Sequence, residues 1–285
     1  MTFTTIDLFC GAGGLTEGFG RAGYECVFAT DFDQQAIETF SYNHPSVPVW
    51  AGDIGDLRSE TILSKSGLSA GEVDVLMGGP PCQGFSLAGP RLSEDPKNYL
   101  FLEFLRTARL IRPKFLLFEN VPGIMSWSNG AVVQALQYEI TLLGYHVTTA
   151  ILDAHEFGVP QARKRFILVA SRDRDDFDFP EPTHQIDCQN VPLAGSPTPS
   201  VTVESAISDL PMLQQGEGSE VLEHRGQYKT EYQLARRGIR NPGKIFNHRA
   251  TRHSENVTYR YSLIPPGKDN KSKVDPVSWT GLGQC

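Results

Sequence analysis

The chain has 285 residues, 40% hydrophobic and 21% charged, enough to bury one large domain or one domain with a smaller module. No apolar run reaches spanning length and no basic stretch precedes an apolar one near Met1, so the expectation is a cytoplasmic protein that neither enters a membrane nor is exported. The net charge of −7 is unevenly spread: residues 224–273 hold twelve Lys/Arg against three acids, a net of +9 that leaves −16 for the rest. Such a basic segment on an acidic body suits a local phosphate contact, and equally a solvated or disordered stretch. The five cysteines (10, 26, 82, 188 and 285) are odd in number and lack CxxC spacing, which gives neither a disulfide framework nor a zinc site and fits a reducing compartment.

In chain order, residues 4–9 form a short apolar run ending at Cys10-Gly11-Ala12-Gly13-Gly14, followed by a helix-compatible stretch to residue 22. Residues 25–30 read as a second strand closing on Asp31-Phe32-Asp33, and 34–42 as a helix. A third strand, 47–51, closes on Gly52-Asp53-Ile54, and a fourth spans 73–77. Residues 98–111 carry apolar side chains near helical spacing, 115–118 form a strand closing on Glu119-Asn120, and 131–143 are helical again. Residues 145–152 and 166–170 read as two further strands. Strand and helix therefore alternate over residues 3–171, which predicts an α/β fold with a doubly wound, mostly parallel sheet. Beyond residue 172 the pattern fails: 173–200 is rich in Asp, Pro and Thr, 201–210 reads as one short helix, and 214–285 has few apolar periods. The expected organisation is a catalytic domain over residues 1–172 and an irregular, incomplete region over 173–285 that packs poorly on its own.

Ligands of doubly wound sheets bind beyond the carboxyl ends of the strands, and the distinctive polar residues all fall there. Gly78-Gly79-Pro80-Pro81-Cys82-Gln83-Gly84-Phe85-Ser86 is the most informative segment. Its prolines fix φ and deny helix or strand, its glycines allow tight backbone paths, and the cysteine between them is placed as a nucleophile is, with an ordinary loop cysteine as the alternative. The glycine run 11–14 lacks dinucleotide spacing, and serves either a ligand at a helix N-terminus or a plain tight turn. Asp31 is placed to accept from a ribose diol, Phe32 to lie against an adenine face and Asp53 to accept from an adenine amino group. A surface acid is the alternative at each position, but three such positions in sheet order favour an adenosyl ligand without a pyrophosphate. Glu119, ending an apolar strand, is expected to be partly desolvated and able to donate a proton, or else to cap the next helix. Period-2 alternation points Gln161, Arg163 and Arg165 to one face, where arginines hold a carboxylate, a phosphate or a carbonyl oxygen, or are ordinary edge-strand charges.

These residues resemble the DNA (cytosine-5) methyltransferases over the first two-thirds of the chain. Asp7-Leu8-Phe9-Cys10-Gly11-Ala12-Gly13-Gly14 is similar to the family's cofactor motif, and Gly79-Pro80-Pro81-Cys82-Gln83-Gly84-Phe85-Ser86 to its nucleophile motif. Glu119-Asn120-Val121 and Gln161-x-Arg163-x-Arg165 match two more, in order. The resemblance implies a Rossmann-like methyltransferase fold that takes S-adenosyl-L-methionine on Phe9, Ala12, Gly13, Asp31, Phe32, Asp53, Ile54, Pro81 and Leu100. It implies double-stranded DNA as substrate, with the target cytosine flipped out of the stack. Cys82 then adds to ring carbon 6, Glu119 protonates ring nitrogen 3, and Arg163 and Arg165 hold the base and thiolate while carbon 5 takes the methyl group. Other readings are an inactive fragment that binds nucleic acid through residues 224–273, and an enzyme acting on transfer RNA. The family's final motif, an Asn-Ala-Val run that completes the cofactor pocket, has no counterpart here. The expectation is a split enzyme completed by a C-terminal subunit, or a truncated product.

Overall fold

The structure, a computed structural model, describes residues 2–81, 100–173, 177–185, 198–224, 226–237 and 243–264. The chain divides into two compact units, Met1–Ser200 and Val201–Cys285.

In the first unit, β1 (Thr4–Leu8), α1 (Gly14–Arg21), β2 (Glu25–Asp31), α2 (Gln34–Asn43), β3 (Val49–Ala51), α3 (Ser59–Ser66) and β4 (Val75–Gly78) alternate as the sequence predicts, with α3 as an addition. The series continues with α4 (Leu100–Ile111), β5 (Phe115–Asn120), α5 (Ala131–Leu142), β6 (His146–Asp153) and β7 (Lys164–Ser171). The seven strands form one sheet in the order β3-β2-β1-β4-β5-β7-β6. Strands β1 to β5 pair in parallel, while β7 lies antiparallel to both β5 and β6. The doubly wound, mostly parallel sheet is thus the observed fold.

Burial explains which segments were legible. All four residues of β4 are buried, so the strand reads as a continuous apolar run rather than an alternating one. Its main core joins Leu76, Leu116 and Phe118 of the sheet to Phe104 and Leu105 of α4, with Leu136 of α5. Phe104 and Phe118 meet edge to face, with ring centroids 5.5 Å apart. Across the sheet, Cys10, Ala29, Ile37 and Phe40 make a smaller cluster beneath α2. Helix α3 has only Ile62 and Leu63 as apolar residues, too few for a periodic signal, and closes on Gly67 at φ 70.

The boundary expected at residue 172 falls inside the first unit, because a short parallel pair, β8 (His184–Gln185) and β9 (Thr198–Pro199), belongs to it. In the second unit, α6 (Val203–Ile207) starts with a capping box between Thr202 and Ser205. β10 (Gly218–Glu223) and β11 (Lys244–Arg249) pair antiparallel, flanking α7 (Glu231–Arg237), and α8 (Glu255–Ser262) follows. The expectation of poor packing after residue 172 is therefore corrected for the described part of this unit. Its interior is polar and hydrogen-bonded, which hydropathy does not register. Gln233 is fully buried, accepting from Lys229 N at 2.7 Å and donating to Ser208 Oγ at 3.0 Å. His224 Nε2 lies 3.1 Å from Asp209 Oδ2, with both side chains buried, and its ring stacks on Tyr228. Several cations of the basic segment also have structural partners: Lys229 Nζ donates to Ser208 O, and Arg236 lies over the Tyr232 ring.

Candidate active site

Parallel strands bring their carboxyl ends to one edge of the first unit. Phe9 leaves β1 at φ 60, a conformation that costs a non-glycine residue about 1–2 kcal/mol and turns the chain sharply out of the sheet. Cys10 N then donates to Thr30 O at 3.0 Å, and Gly11 N to Asp31 Oδ2 at 2.8 Å. The other oxygen of Asp31 accepts from Asp33 N at 2.9 Å. A carboxylate offers about four acceptor positions, so Asp31 keeps capacity on both oxygens for a diol. Asp33 has a different duty and caps α2, accepting from Gln35 N and Ala36 N.

Around this edge lies a cleft of about 580 Å³, lined by Phe9, Asp31, Phe32, Asp53, Ile54, Pro81 and Leu100 together with Thr30, Asp33, Gly52 and Gly79. Its size falls within the range of small-molecule sites, about 300–1,000 Å³. Seven of the nine residues expected at a cofactor therefore share one cleft. The other two, Ala12 and Gly13, stand on the adjoining turn and outside its described walls. Gly13 is buried at φ 95 with its Cβ position blocked by the His44 ring at 2.7 Å and Phe40 at 3.0 Å, so this glycine serves a close approach to α2. Phe32 is 77% exposed and presents an open ring face. Asp53 Oδ1 accepts from Gly55 N at 2.9 Å.

Chemically these walls fit an adenosyl group. Two carboxylates can accept from hydroxyl and amino groups, an aromatic ring and aliphatic side chains can hold a purine, and no described lining residue is a cation suited to a pyrophosphate.

The neighbouring strands carry a second group of residues. A Cβ on Gly79 would stand 2.9 Å from Glu119 Oε2, so the absence of a side chain lets the loop after β4 pass against that carboxylate. Asn120 Nδ2 donates to Pro80 O at 3.3 Å inside the protein, tying the same loop to the end of β5. Glu119 pairs with Arg165, Nε to Oε1 at 2.7 Å, with 28% and 22% of the two side chains exposed. Sheet register explains this meeting: Ile167 lies opposite Glu119, and Arg165 is the diagonal neighbour two residues along the antiparallel strand. Glu119 is therefore half-buried and hydrogen-bonded to a guanidinium, a partner that its place at the end of an apolar strand did not reveal. Nor does it cap the 3-10 turn Pro122–Met125, whose N-cap residue Val121 makes no side-chain bond.

A further correction concerns the expected common face of Gln161, Arg163 and Arg165. Strand β7 begins at Lys164, so alternation does not extend back to Gln161 and Arg163, which lie in the connection and are exposed. Arg163 is anchored by its backbone, whose N–H donates to Asp153 Oδ1 at 2.8 Å. His155 Nδ1 lies 2.9 Å from the same oxygen. Burial alone would push the Asp153 pKa up, but the His155 and Arg163 donors outweigh it and hold the group below the usual carboxylate value. Cys82 lies outside the described residues; Pro81, directly before it in the chain, is on the cleft wall.

Behind the glycine turn is a residue whose burial was not foreseen. Asp7 is fully buried, its Oδ2 accepting from Thr16 Oγ1 at 2.6 Å while Oδ1 has no hydrogen-bond partner. Burial pushes its pKa up to about 7 against the opposing Thr16 bonds, with a further push from Asp31. Burial also raises the thiol pKa values of Cys10 and Cys26, which fits inert thiols rather than reactive ones.

The family model for C-5 cytosine-specific DNA methylase matches residues 3–273. The chain belongs to that family. The type II methyltransferase M.AgeI of Thalassovita gelatinovora is 38% identical over 283 residues, covering 95% of this chain and 65% of that protein. The type II methyltransferase M.AquIA of Picosynechococcus sp. is 41% identical over 218 residues, covering 72% of this chain and 88% of that protein. Among solved structures, a DNA modification methyltransferase encoded within an E. coli prophage superposes with a TM-score of 0.73 at 27% identity, over 95% of this chain and 78% of that one. This C-5 methylase chain therefore spans just under two-thirds of the length of M.AgeI. Members of the family use S-adenosylmethionine as the methyl donor, in keeping with the walls of the cleft. No helix among the described residues is long and apolar enough to cross a membrane.

Proposed function

We propose that this chain supplies the nucleophile and most of the cofactor site of a DNA (cytosine-5) methyltransferase. The observation that carries the reading is one sheet edge bearing both an adenosyl-sized cleft and, beside it, the Glu119–Arg165 pair against the loop that leads to Cys82. Asp31 would hold the ribose hydroxyls of S-adenosylmethionine, Asp53 the adenine amino group, and Phe32 with Ile54 and Leu100 the purine faces. When bound, that cofactor supplies an electrophilic methyl group on a sulfonium.

On the substrate side, a flipped cytosine would lie between the Cys82 loop and Glu119. The thiolate of Cys82 forms a bond to ring carbon 6 while Glu119 delivers a proton to ring nitrogen 3, so that the ring electrons gather on carbon 5. Arg165 orients the Glu119 carboxyl through its Nε, its Nη1 donates to Lys164 O at 2.8 Å, and its Nη2 would meet the base carbonyl. After methylation, carbon 5 gives its proton to solvent water, the carbon–sulfur bond breaks and nitrogen 3 returns its proton to Glu119, restoring the aromatic ring, the thiolate and the acid. Double-stranded DNA is the substrate in this reading, and a polypeptide supplying the C-terminal part of longer relatives is the partner.

Transfer of radiolabelled methyl groups from S-adenosylmethionine to mixed-sequence DNA tests this. The chain is assayed alone and with the C-terminal third of a longer relative. Labelled 5-methylcytosine with the added piece, abolished by Cys82→Ser, is the expected result. Folded protein that binds the cofactor yet transfers nothing in either arm would overturn the proposal.

A further inference from the structure

We propose that Arg106 is a positioning residue for the cofactor cleft, holding the turn that carries Asp53 and Ile54; this rests on the functional reading above. Strand β3 is only three residues long and lies at the edge of the sheet, with β2 as its sole strand neighbour among the described residues. The turn that follows it has little sheet to lean on, although Asp53 and Ile54 are both cleft walls. Its internal bonds are local: Gly55 N to Asp53 Oδ1, Asp56 N to Asp53 O, and Leu57 N to Ile54 O.

Arg106 connects this turn to α4. Its Nη2 donates to Ile54 O and Leu57 O, each at 2.9 Å, so one nitrogen clamps both ends of the turn. Nε donates to Glu103 Oε2 at 2.7 Å, an i,i+3 contact on the same helix that fixes the guanidinium plane. Helix α4 begins at Leu100, which is itself a cleft wall. A single side chain thereby sets the distance between the Asp53 wall and the Leu100 wall. Without it, the turn is held from outside by Gly52 N, which donates to Asp31 O at 3.0 Å, and by Ile54 and Leu57, both inserted into the core. Those two apolar contacts fix depth, while the direction of the Asp53 carboxylate depends on the clamped carbonyls.

The test is calorimetric binding of S-adenosylmethionine to the full chain, with hydrogen exchange at the amides of residues 55–57. Arg106→Ala should weaken binding about tenfold or more and speed exchange at those amides. Arg106→Lys, which retains a cation but not the fixed plane, should recover part of the affinity. In the Arg106→Ala background, adding Asp53→Ala should cost little more, because the acid is already misdirected. Ile111→Val, a buried α4 change that loosens the core without touching the turn, should leave binding unchanged. Binding unaltered by Arg106→Ala, or losses from Arg106→Ala and Asp53→Ala that multiply fully, contradicts the role of Arg106 alone. Wild-type chain that is folded and binds no S-adenosylmethionine contradicts the functional reading and the role of Arg106 with it.

Discussion

Asparagine at position 7 keeps the shape of the aspartate and removes its titration. Asp7 is fully buried, with one oxygen on Thr16 and the other without a hydrogen-bond partner, and burial lifts its pKa from 3.8 to about 7. A folded-state value above the unfolded one means that the native state holds this proton more tightly. The contribution to stability is therefore full below the unfolded value, falls as pH rises through the window from 3.8 to about 7, and is flat above it. At ~1.36 kcal/mol per pKa unit the whole window is worth about 4 kcal/mol, of which roughly 2–3 kcal/mol falls between pH 5 and pH 8. Asp7→Asn has no such loss. Its new N–H, placed where Oδ1 has no partner, adds an offset of about 1–3 kcal/mol that does not depend on pH and leaves the slope unchanged. Urea unfolding of both proteins at several pH values between 5 and 8 measures the difference, with other titrating groups cancelling. The gap should move in favour of Asp7→Asn by roughly 2–3 kcal/mol from the acid to the alkaline end. A gap constant to within about 0.5 kcal/mol would refute the assignment of a proton to this buried acid near neutral pH.

Asp31→Ala should weaken S-adenosylmethionine about 10- to 100-fold, and removal of the ribose hydroxyls from the ligand should cost affinity in wild type but little in the variant, as calorimetry can show. Glu119→Gln should lower methyl transfer by about two orders of magnitude or more while leaving cofactor affinity unchanged, because Glu119 is not among the described cleft walls. A parallel loss of cofactor affinity would argue against that division of labour. Asp153→Ala removes the acceptor for Arg163 N–H and should cost roughly 2 kcal/mol in urea unfolding near neutral pH. Because the folded pKa of Asp153 is depressed, this stabilisation exists above the unfolded value and is lost as pH falls through the folded one, so the two unfolding curves should converge in acid.

Much of the fold was legible because a parallel sheet buried on both faces writes itself as alternating apolar runs and helical periods. Segments that depend on other forces were not. Helix α3 has two apolar residues and is closed by Gly67, and the second unit is built around Gln233, Asp209 and His224, polar groups that pattern reading assigns to the surface. The cleft acids were readable since strand ends in such a sheet converge, which located Asp31 and Asp53 without knowledge of their partners. Asp33 could have been found as well, standing one residue before a helix in an N-cap position. What arginines grasp is set by tertiary placement: Arg165 reaches Glu119 through antiparallel register, Arg106 reaches two carbonyls about fifty residues upstream, and Arg163 is held by its backbone. The Cys82 loop, which carried the strongest sequence signal, lies outside the described residues, so its role rests on motif and on the anchoring of Gly79, Pro80 and Pro81.

The most direct measurement is covalent trapping on DNA containing 5-fluorocytosine, with S-adenosylmethionine and the added C-terminal piece present. Fluorine at carbon 5 leaves no proton to be lost after methylation, so the carbon–sulfur bond cannot break and the adduct accumulates. Wild-type chain should give a denaturation-resistant protein–DNA species whose peptide map places the link at Cys82, and Cys82→Ser should give none. Methyl transfer to ordinary DNA by wild type without any trapped species, or trapping that persists in Cys82→Ser, would contradict the role assigned to Cys82.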